Sequence, residues 1–242
     1  MRPRAALGIM KILAVFAHPD DEAFGPAGTL SRYALTGHSV RLATLTQGEA
    51  GTLGPASRLS RLELGRLRAD ELRCSARAMH LTALSIYQLP DGRLSELPAE
   101  EGLAIIRAEL NDFLPDAVIT FHSLGISGHP DHRTAARWCL QAIQEQANGT
   151  RLLAYGLSEA QVKRIAHRTL VPIPDDEITH VIDVSAYLEY KFRAIRCHQS
   201  QSESWERMQT IEGGIESLLQ NEHFSQVWPV PPKRSREDSL EM

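Results

Sequence analysis

Ile12-Leu13-Ala14-Val15-Phe16-Ala17-His18-Pro19-Asp20-Asp21-Glu22 is the stretch that decides the fold. Residues 12–17 form a short apolar run with β-branched members, which reads as a buried strand. The run stops at a histidine and three acids, and a helix-like segment follows over residues 22–35. Asp21 or a neighbour can cap that helix and Thr36-Gly37 can end it. A strand that ends in metal-binding and proton-transfer groups carries them at its carboxyl end. Open α/β sheets bind their ligands at that edge.

Outward from this stretch, strand and helix signals alternate. Residues 39–45 alternate apolar and polar positions and read as a second strand, followed by a glycine-rich loop over 46–56. Residues 59–79 carry the spacing of a long amphipathic helix. Residues 84–89 read as a strand ending at the turn Pro90-Asp91-Gly92. A helix over 98–114, an apolar strand over 117–121, a loop over 122–131 and a helix over 133–146 come next. Strands over 151–155 and 178–184 and closing helices over 186–197 and 203–219 complete the pattern. This alternation predicts a single α/β domain, Rossmann-like, with a mostly parallel twisted sheet and helices on both faces. The domain is expected over residues 10–228, after a short extension at 1–9. A proline- and charge-rich tail at 229–242 is expected to be disordered.

The chain has 242 residues, enough for one large domain with its own core. Net charge is −4, which lacks the basic excess of a general nucleic-acid binder. No apolar run approaches the roughly 20 residues of a membrane span. Residues 1–9 are basic and short, without the apolar core of a secretion signal. Cys74, Cys139 and Cys197 are scattered and odd in number, with no CxxC pair. The expectation is therefore three buried thiols, no disulfide framework and a cytoplasmic location.

A second cluster, His129-Pro130-Asp131-His132, lies far downstream, also after an apolar strand and before a helix. In a parallel sheet all strand carboxyl ends share one edge, so His18, Asp21 and His132 can meet on one zinc ion. Catalytic zinc takes three protein ligands and keeps a position for water. Zinc lowers the pKa of bound water toward about 7, and Asp20 is placed to take its proton. His129, as an imidazolium, can stabilise an oxyanion or protonate a leaving amine. Asp131 can bond a histidine and fix its tautomer. Taken singly, each cluster is also an ordinary helix start, with acids in the first turn.

These clusters resemble the PIG-L/LmbE-like family of zinc-dependent N-deacetylases of N-acetylglucosamine conjugates. The similar pieces are Ala17-His-Pro-Asp-Asp-Glu22, Thr46-Gln-Gly-Glu-Ala-Gly51, Arg68-x-x-Glu71, Leu89-Pro-Asp-Gly92, Gly128-His-Pro-Asp-His132, Lys191 and His198-Gln-Ser-Gln201. They occur in the family's order over most of the chain. The resemblance implies zinc, one per chain, on His18, Asp21 and His132, with Asp20 as general base and His129 as its electrostatic or acid partner. It implies that Arg68 and Asp91 lie near the sugar, against the alternatives of an Arg68–Glu71 pair and a plain Pro-Asp-Gly turn. His198 is assigned either to the pocket or to a helix end. It further implies a small-molecule amidated sugar as substrate and, mildly, a homo-oligomer. Some relatives carry a tyrosine where this chain has Ser127, whose hydroxyl cannot reach an oxyanion in the same way.

Three activities compete. The first is removal of an acetyl group from an N-acetylglucosamine-type conjugate. The second keeps the metal chemistry but acts on a larger amide: a thiol conjugate, an acylated antibiotic or an N-acetylated metabolite. Other divalent ions such as ferrous iron or cobalt suit the same ligands. The third is a nucleotide-binding module, which finds neither G-x-G-x-x-G nor a G-x-x-x-x-G-K-[ST] loop; Gly25 and Gly28 better serve close packing of the first helix. A G-x-S-x-G elbow is absent too.

Overall fold

A computed structural model describes residues 8–52, 58–146, 148–165, 169–208, 211, 213–231 and 236–241. Seven strands form one sheet in the order β3-β2-β1-β4-β5-β7-β6. Strands β1 (Lys11–Phe16), β2 (Ser39–Thr46), β3 (Ala83–Leu89), β4 (Ala117–Phe121) and β5 (Arg151–Gly156) are parallel. Strand β7 (Asn221–Trp228) runs antiparallel to both β5 and β6 (His180–Asp183). β1 and β4 are almost wholly buried, as expected of central parallel strands covered on both faces. The α/β, mostly parallel reading of the sequence is borne out.

Helices α2 (Ala27–Leu35), α3 (Arg61–Ala78) and α8 (Leu188–Cys197) pack together on one face; α4 (Ala99–Phe113) and α6 (Pro130–Gln146) pack together on the other, and a short α7 (Glu159–Arg164) follows β5. From β1 the chain builds outward to β2 and β3, then returns across β1 and builds β4 and β5 on the other side. The strand order reverses between β1 and β4. The crevice at their carboxyl ends is thus the topological switch point, the usual ligand position in such sheets. Both histidine–acid clusters emerge there, one after β1 and one after β4.

Four expectations are corrected. The first helix is broken: α1 (Asp21–Phe24) stops at Gly25-Pro26, and α2 starts afresh. A Cβ on Gly25 would lie 2.4 Å from the Asp21 carbonyl oxygen and one on Gly28 2.6 Å from Val184, which supports the close-packing role read for both. The closing helix over 203–219 is two short ones, α9 (Ser202–Met208) and α10 (Ile215–Leu219), with Gly213 and Gly214 at positive φ between them. Strand β7 was not anticipated. It lies between the expected closing helix and the tail expected from residue 229, and residues 236–241 of that tail pack on the body: Glu237 bridges to His180, and Leu240 is fully buried with its N–H donated to the Tyr33 hydroxyl. Finally, Cys74 of α3 and Cys197 of α8 are joined in a disulfide, their Cα atoms 5.7 Å apart, because the two helices lie side by side. Only Cys139 remains a free thiol, and burial pushes its pKa up to about 12.

Lys191, buried on α8, donates to the Gly25 carbonyl and to Glu222 Oε1, each at 2.6 Å. Glu222 on β7 also accepts from the Gly28 and Thr29 N–H groups at 2.9 and 2.7 Å. This buried pair ties the antiparallel end of the sheet to the start of α2, below the switch point. Lys191, similar to the family by position, is therefore structural.

Candidate metal centre

His18 leaves β1, Pro19 turns the chain, and Asp20 takes a left-handed conformation with φ 107°. That turn folds Asp21 back, so that its carboxylate accepts the His18 N–H at 2.7 Å. After β4, a short helix α5 (Gly125–Gly128) leads to His129 and α6, whose first turn carries Asp131 and His132. Three donors converge. His18 Nδ1 lies 3.4 Å from Asp21 Oδ2, His132 Nε2 lies 3.1 Å from Asp21 Oδ1, and the two nitrogens are 3.3 Å apart. A tetrahedral cation with ligand bonds of about 2.0–2.1 Å holds its donors roughly 3.3 Å apart. The residues present fit such an ion.

The outer nitrogen of each ring is committed elsewhere, as metal-binding histidines require. His132 Nδ1 is 3.1 Å from the Gly125 carbonyl oxygen, and the ring stacks on Phe121 at 4.0 Å. A ring that donates Nδ1–H to that carbonyl leaves the Nε2 lone pair free. His18 Nε2 faces Asp91 at 2.9 Å and Asp131 at 3.1 Å, which leaves Nδ1 free by the same reasoning. Asp131 is fully buried and also accepts from the Gly92 and Leu94 N–H groups at 2.7 and 3.0 Å. Two other groupings have donor atoms within 4.8 Å: His18 with His129 and His132, and His18 with Asp91 and Asp131. The second uses the His18 nitrogen already bonded to carboxylates. In the first, His129 Nδ1 accepts the Asp131 N–H at 3.2 Å. The His18, Asp21, His132 set is the one left with open lone pairs.

The electrostatics match a cation site. Burial opposes the charged form of His18, but its hydrogen bonds to Asp131, Asp21 and Asp91 outweigh it and hold its pKa well above that of free imidazole. Burial also pushes Asp21 up, yet His132 and His18 hold its carboxyl far below the usual range. Asp91 is held down in the same way by His18. Asp20 is raised by burial, with Arg68 opposing and the Asp21 charge reinforcing the shift. His129 is lowered by burial and by the neighbouring His18 and His132. That favours a neutral ring over the expected imidazolium; with Nδ1 accepting, its proton sits on Nε2.

Asp20, Asp21, His18, His129, Asp131 and His132 thus come together as the sequence implied. The three residues assigned to the sugar are placed differently. Asp91 touches His18, and its second oxygen accepts the Ala50 N–H at 2.7 Å. Arg68 is buried, donates to the Pro19 and Gly48 carbonyls and pairs with Asp20 Oδ2 at 3.2 Å. A Cβ on Gly48, whose φ is +71°, or on Gly51 would lie within 2.5 Å of that guanidinium, so the Gly-rich motif is the bed of Arg68. Of its two readings, His198 takes the helix end: it caps α8, and its side chain is fully enclosed with Nε2 2.7 Å from Glu22 Oε1. Glu22 and its donor Ser75 were missed. Glu22 sits inside the first motif but reads as one more acid in a helix's first turn, and nothing in sequence marks it as buried.

The model of the PIG-L family, described as GlcNAc-PI de-N-acetylase, matches residues 13–143. The chain belongs to the PIG-L family. Among curated relatives, a 1D-myo-inositol 2-acetamido-2-deoxy-alpha-D-glucopyranoside deacetylase of Saccharomonospora viridis is 31% identical over 78% of this chain and 84% of its own length. Among solved structures, N,N'-diacetylchitobiose deacetylase of Pyrococcus horikoshii matches with TM-score 0.67 at 23% identity, covering 88% of this chain and 82% of that one. The 4-carboxy-2-hydroxymuconate hydratase of Pseudomonas putida matches with TM-score 0.70 at 19% identity, covering 94% and 100%. At such identities these two matches concern the fold alone.

Proposed function

We propose that this PIG-L protein is a zinc-dependent deacetylase that hydrolyses the acetamide of an N-acetylglucosamine-type conjugate. The observation that carries the reading is the convergence of His18, Asp21 and His132, whose donor atoms approach one another at 3.1–3.4 Å. A zinc ion held by His18, Asp21 and His132 supplies a Lewis acid for the amide carbonyl and acidifies water. The chain's own residues do the rest. Asp20 accepts the proton of the attacking water, while Arg68 fixes the carboxylate and the turn that bears it. His129 keeps its proton and offers an Nε2–H hydrogen bond to the carbonyl oxygen as charge develops, while the proton taken up by Asp20 passes to the departing amine. Asp131 and Asp91 hold His18 in the tautomer that presents Nδ1. Ser127, exposed on α5, adds no long donor, so oxyanion binding among the protein groups rests on His129.

The curated relative's substrate suggests an N-acetylglucosamine carried on an inositol. The larger-amide reading shares every step and differs only in the pocket. A panel of N-acyl glucosamine conjugates with acetyl, propionyl and longer acyl groups, assayed for carboxylate release, separates them. Release restricted to acetyl is expected; equal or faster release of long acyl groups overturns the acetamide reading. No helix among the described residues is long and apolar enough to cross a membrane. The cytoplasmic expectation loses its cysteine argument, because two of the three cysteines are paired.

A further inference from the structure

Glu22 is fully buried, and both of its oxygens are engaged by groups that bear on Asp20. Oε2 accepts the Asp20 N–H at 3.0 Å. That amide belongs to a non-glycine residue at φ 107°, a conformation that persists only where surrounding contacts hold it. Oε1 accepts from Ser75 Oγ at 2.6 Å and from His198 Nε2 at 2.7 Å. Ser75 follows Cys74, and His198 follows Cys197. The disulfide therefore joins the chain one residue before each of the two donors, across 123 residues of sequence. A second contact repeats the pattern one turn away on α3, where Glu71 accepts the Ser200 N–H and hydroxyl, both at 2.7 Å. Both cysteines are partly exposed, so a reductant in solution has access to the bond.

We propose that Glu22 is a positioning residue for Asp20, and that the Cys74–Cys197 cross-link sets how firmly Ser75 and His198 hold it, which makes turnover responsive to thiols. The inference rests on the assignment of Asp20 as general base. In the redox step a dithiol gives up two electrons and two protons and closes to its own disulfide, while the Cys74–Cys197 bond opens to two thiols. α3 and α8 then keep their packing but lose the covalent constraint that holds both donors on one oxygen.

The test measures kcat, KM, bound metal and free thiols of the whole protein before and after a dithiol, with metal resupplied. On opening, kcat is expected to fall several-fold while KM and metal content hold. Cys74→Ser with Cys197→Ser should show the lowered kcat from the start and no further response. Cys139→Ser should respond like the wild type. Glu22→Gln should lose about 10–100-fold in kcat, the scale of outer-shell changes. In an Asp20→Asn background it should cost almost nothing more, since residues acting as a unit are non-additive. A buried residue with a purely structural role would add its cost in both backgrounds. Unchanged kcat with the bond demonstrably open, or three free thiols in protein prepared without reductant, overturns the thiol response. Wild-type kcat in Glu22→Gln overturns the positioning role. Should no amide be hydrolysed by the wild type, the base assignment fails. Hydrogen exchange over residues 17–24 still tests the clamp, since faster exchange is expected in Glu22→Gln and in the Cys74→Ser, Cys197→Ser protein, and equal protection contradicts it.

Discussion

The two ends of the sheet differ in how they are built and in how their histidines behave. The parallel part, β3-β2-β1-β4-β5, is made of strands whose carboxyl ends meet at one edge, and it carries every residue of the metal centre. The antiparallel end, β7-β6, carries none of them, yet is locked to the rest through Lys191 and Glu222. At the centre His18 and His198 sit against carboxylates and are raised. At the far end His180 and His223 are lowered, chiefly by burial. One region gathers buried charge for chemistry; the other uses a buried ion pair, Lys191–Glu222, to lock its packing.

The largest expected effect separates chemistry from scaffold within the parallel part. Asp20→Asn should retain metal and lose about 10²–10⁴-fold in kcat, the usual contribution of a general base. Near-wild-type turnover would sink the proposed role. Next comes the lock between the regions. Lys191→Met leaves Glu222 buried and unpaired and should cost about 3–5 kcal/mol in the urea-unfolding free energy. A cost under 1 kcal/mol would mean the two ends are not coupled through this pair. Asp131→Asn should weaken metal affinity or activity by about 10–100-fold, by loosening the His18 tautomer; metal titration by calorimetry measures it.

The smallest effect concerns pH. His180 and His223 have folded pKa values below the unfolded value of about 6.5. The unfolded chain therefore binds more protons as pH falls. Their neutral forms contribute stability that is fully present above about pH 6.5 and lost as pH drops through the folded values, at no more than about 1.4 kcal/mol per unit for each. A His180→Gln, His223→Gln protein should lose less stability than the wild type between pH 7 and pH 5. Parallel pH curves for the two would contradict burial as the cause.

The same contrast explains what could be read in the sequence. Central parallel strands are buried on both faces, so β1 and β4 stand out as apolar runs, and the clusters after them fall at the switch point without any knowledge of distance. β7, Asn-Glu-His-Phe-Ser-Gln-Val-Trp, mixes polar and apolar positions and precedes a proline-rich tail, so composition hid it. The candidate metal ligands were legible because two clusters of the same type ended two apolar strands. The roles of Arg68, Glu22 and His198 were not, because a charged residue held by buried backbone carbonyls or another buried charge has the same letter as one facing substrate. The Cys74–Cys197 pair was illegible for a related reason: only the packing of α3 on α8 brings the two together.

The most direct test of the central claim is metal bound per chain, measured together with acetate release, for wild type and His132→Ala purified without chelator. The account predicts about one zinc per wild-type chain, acetate release abolished by chelation and restored by zinc, and loss of both properties in His132→Ala with the fold intact. Wild-type protein that binds no metal at the added zinc concentration, or that releases acetate undiminished after chelation, would contradict it.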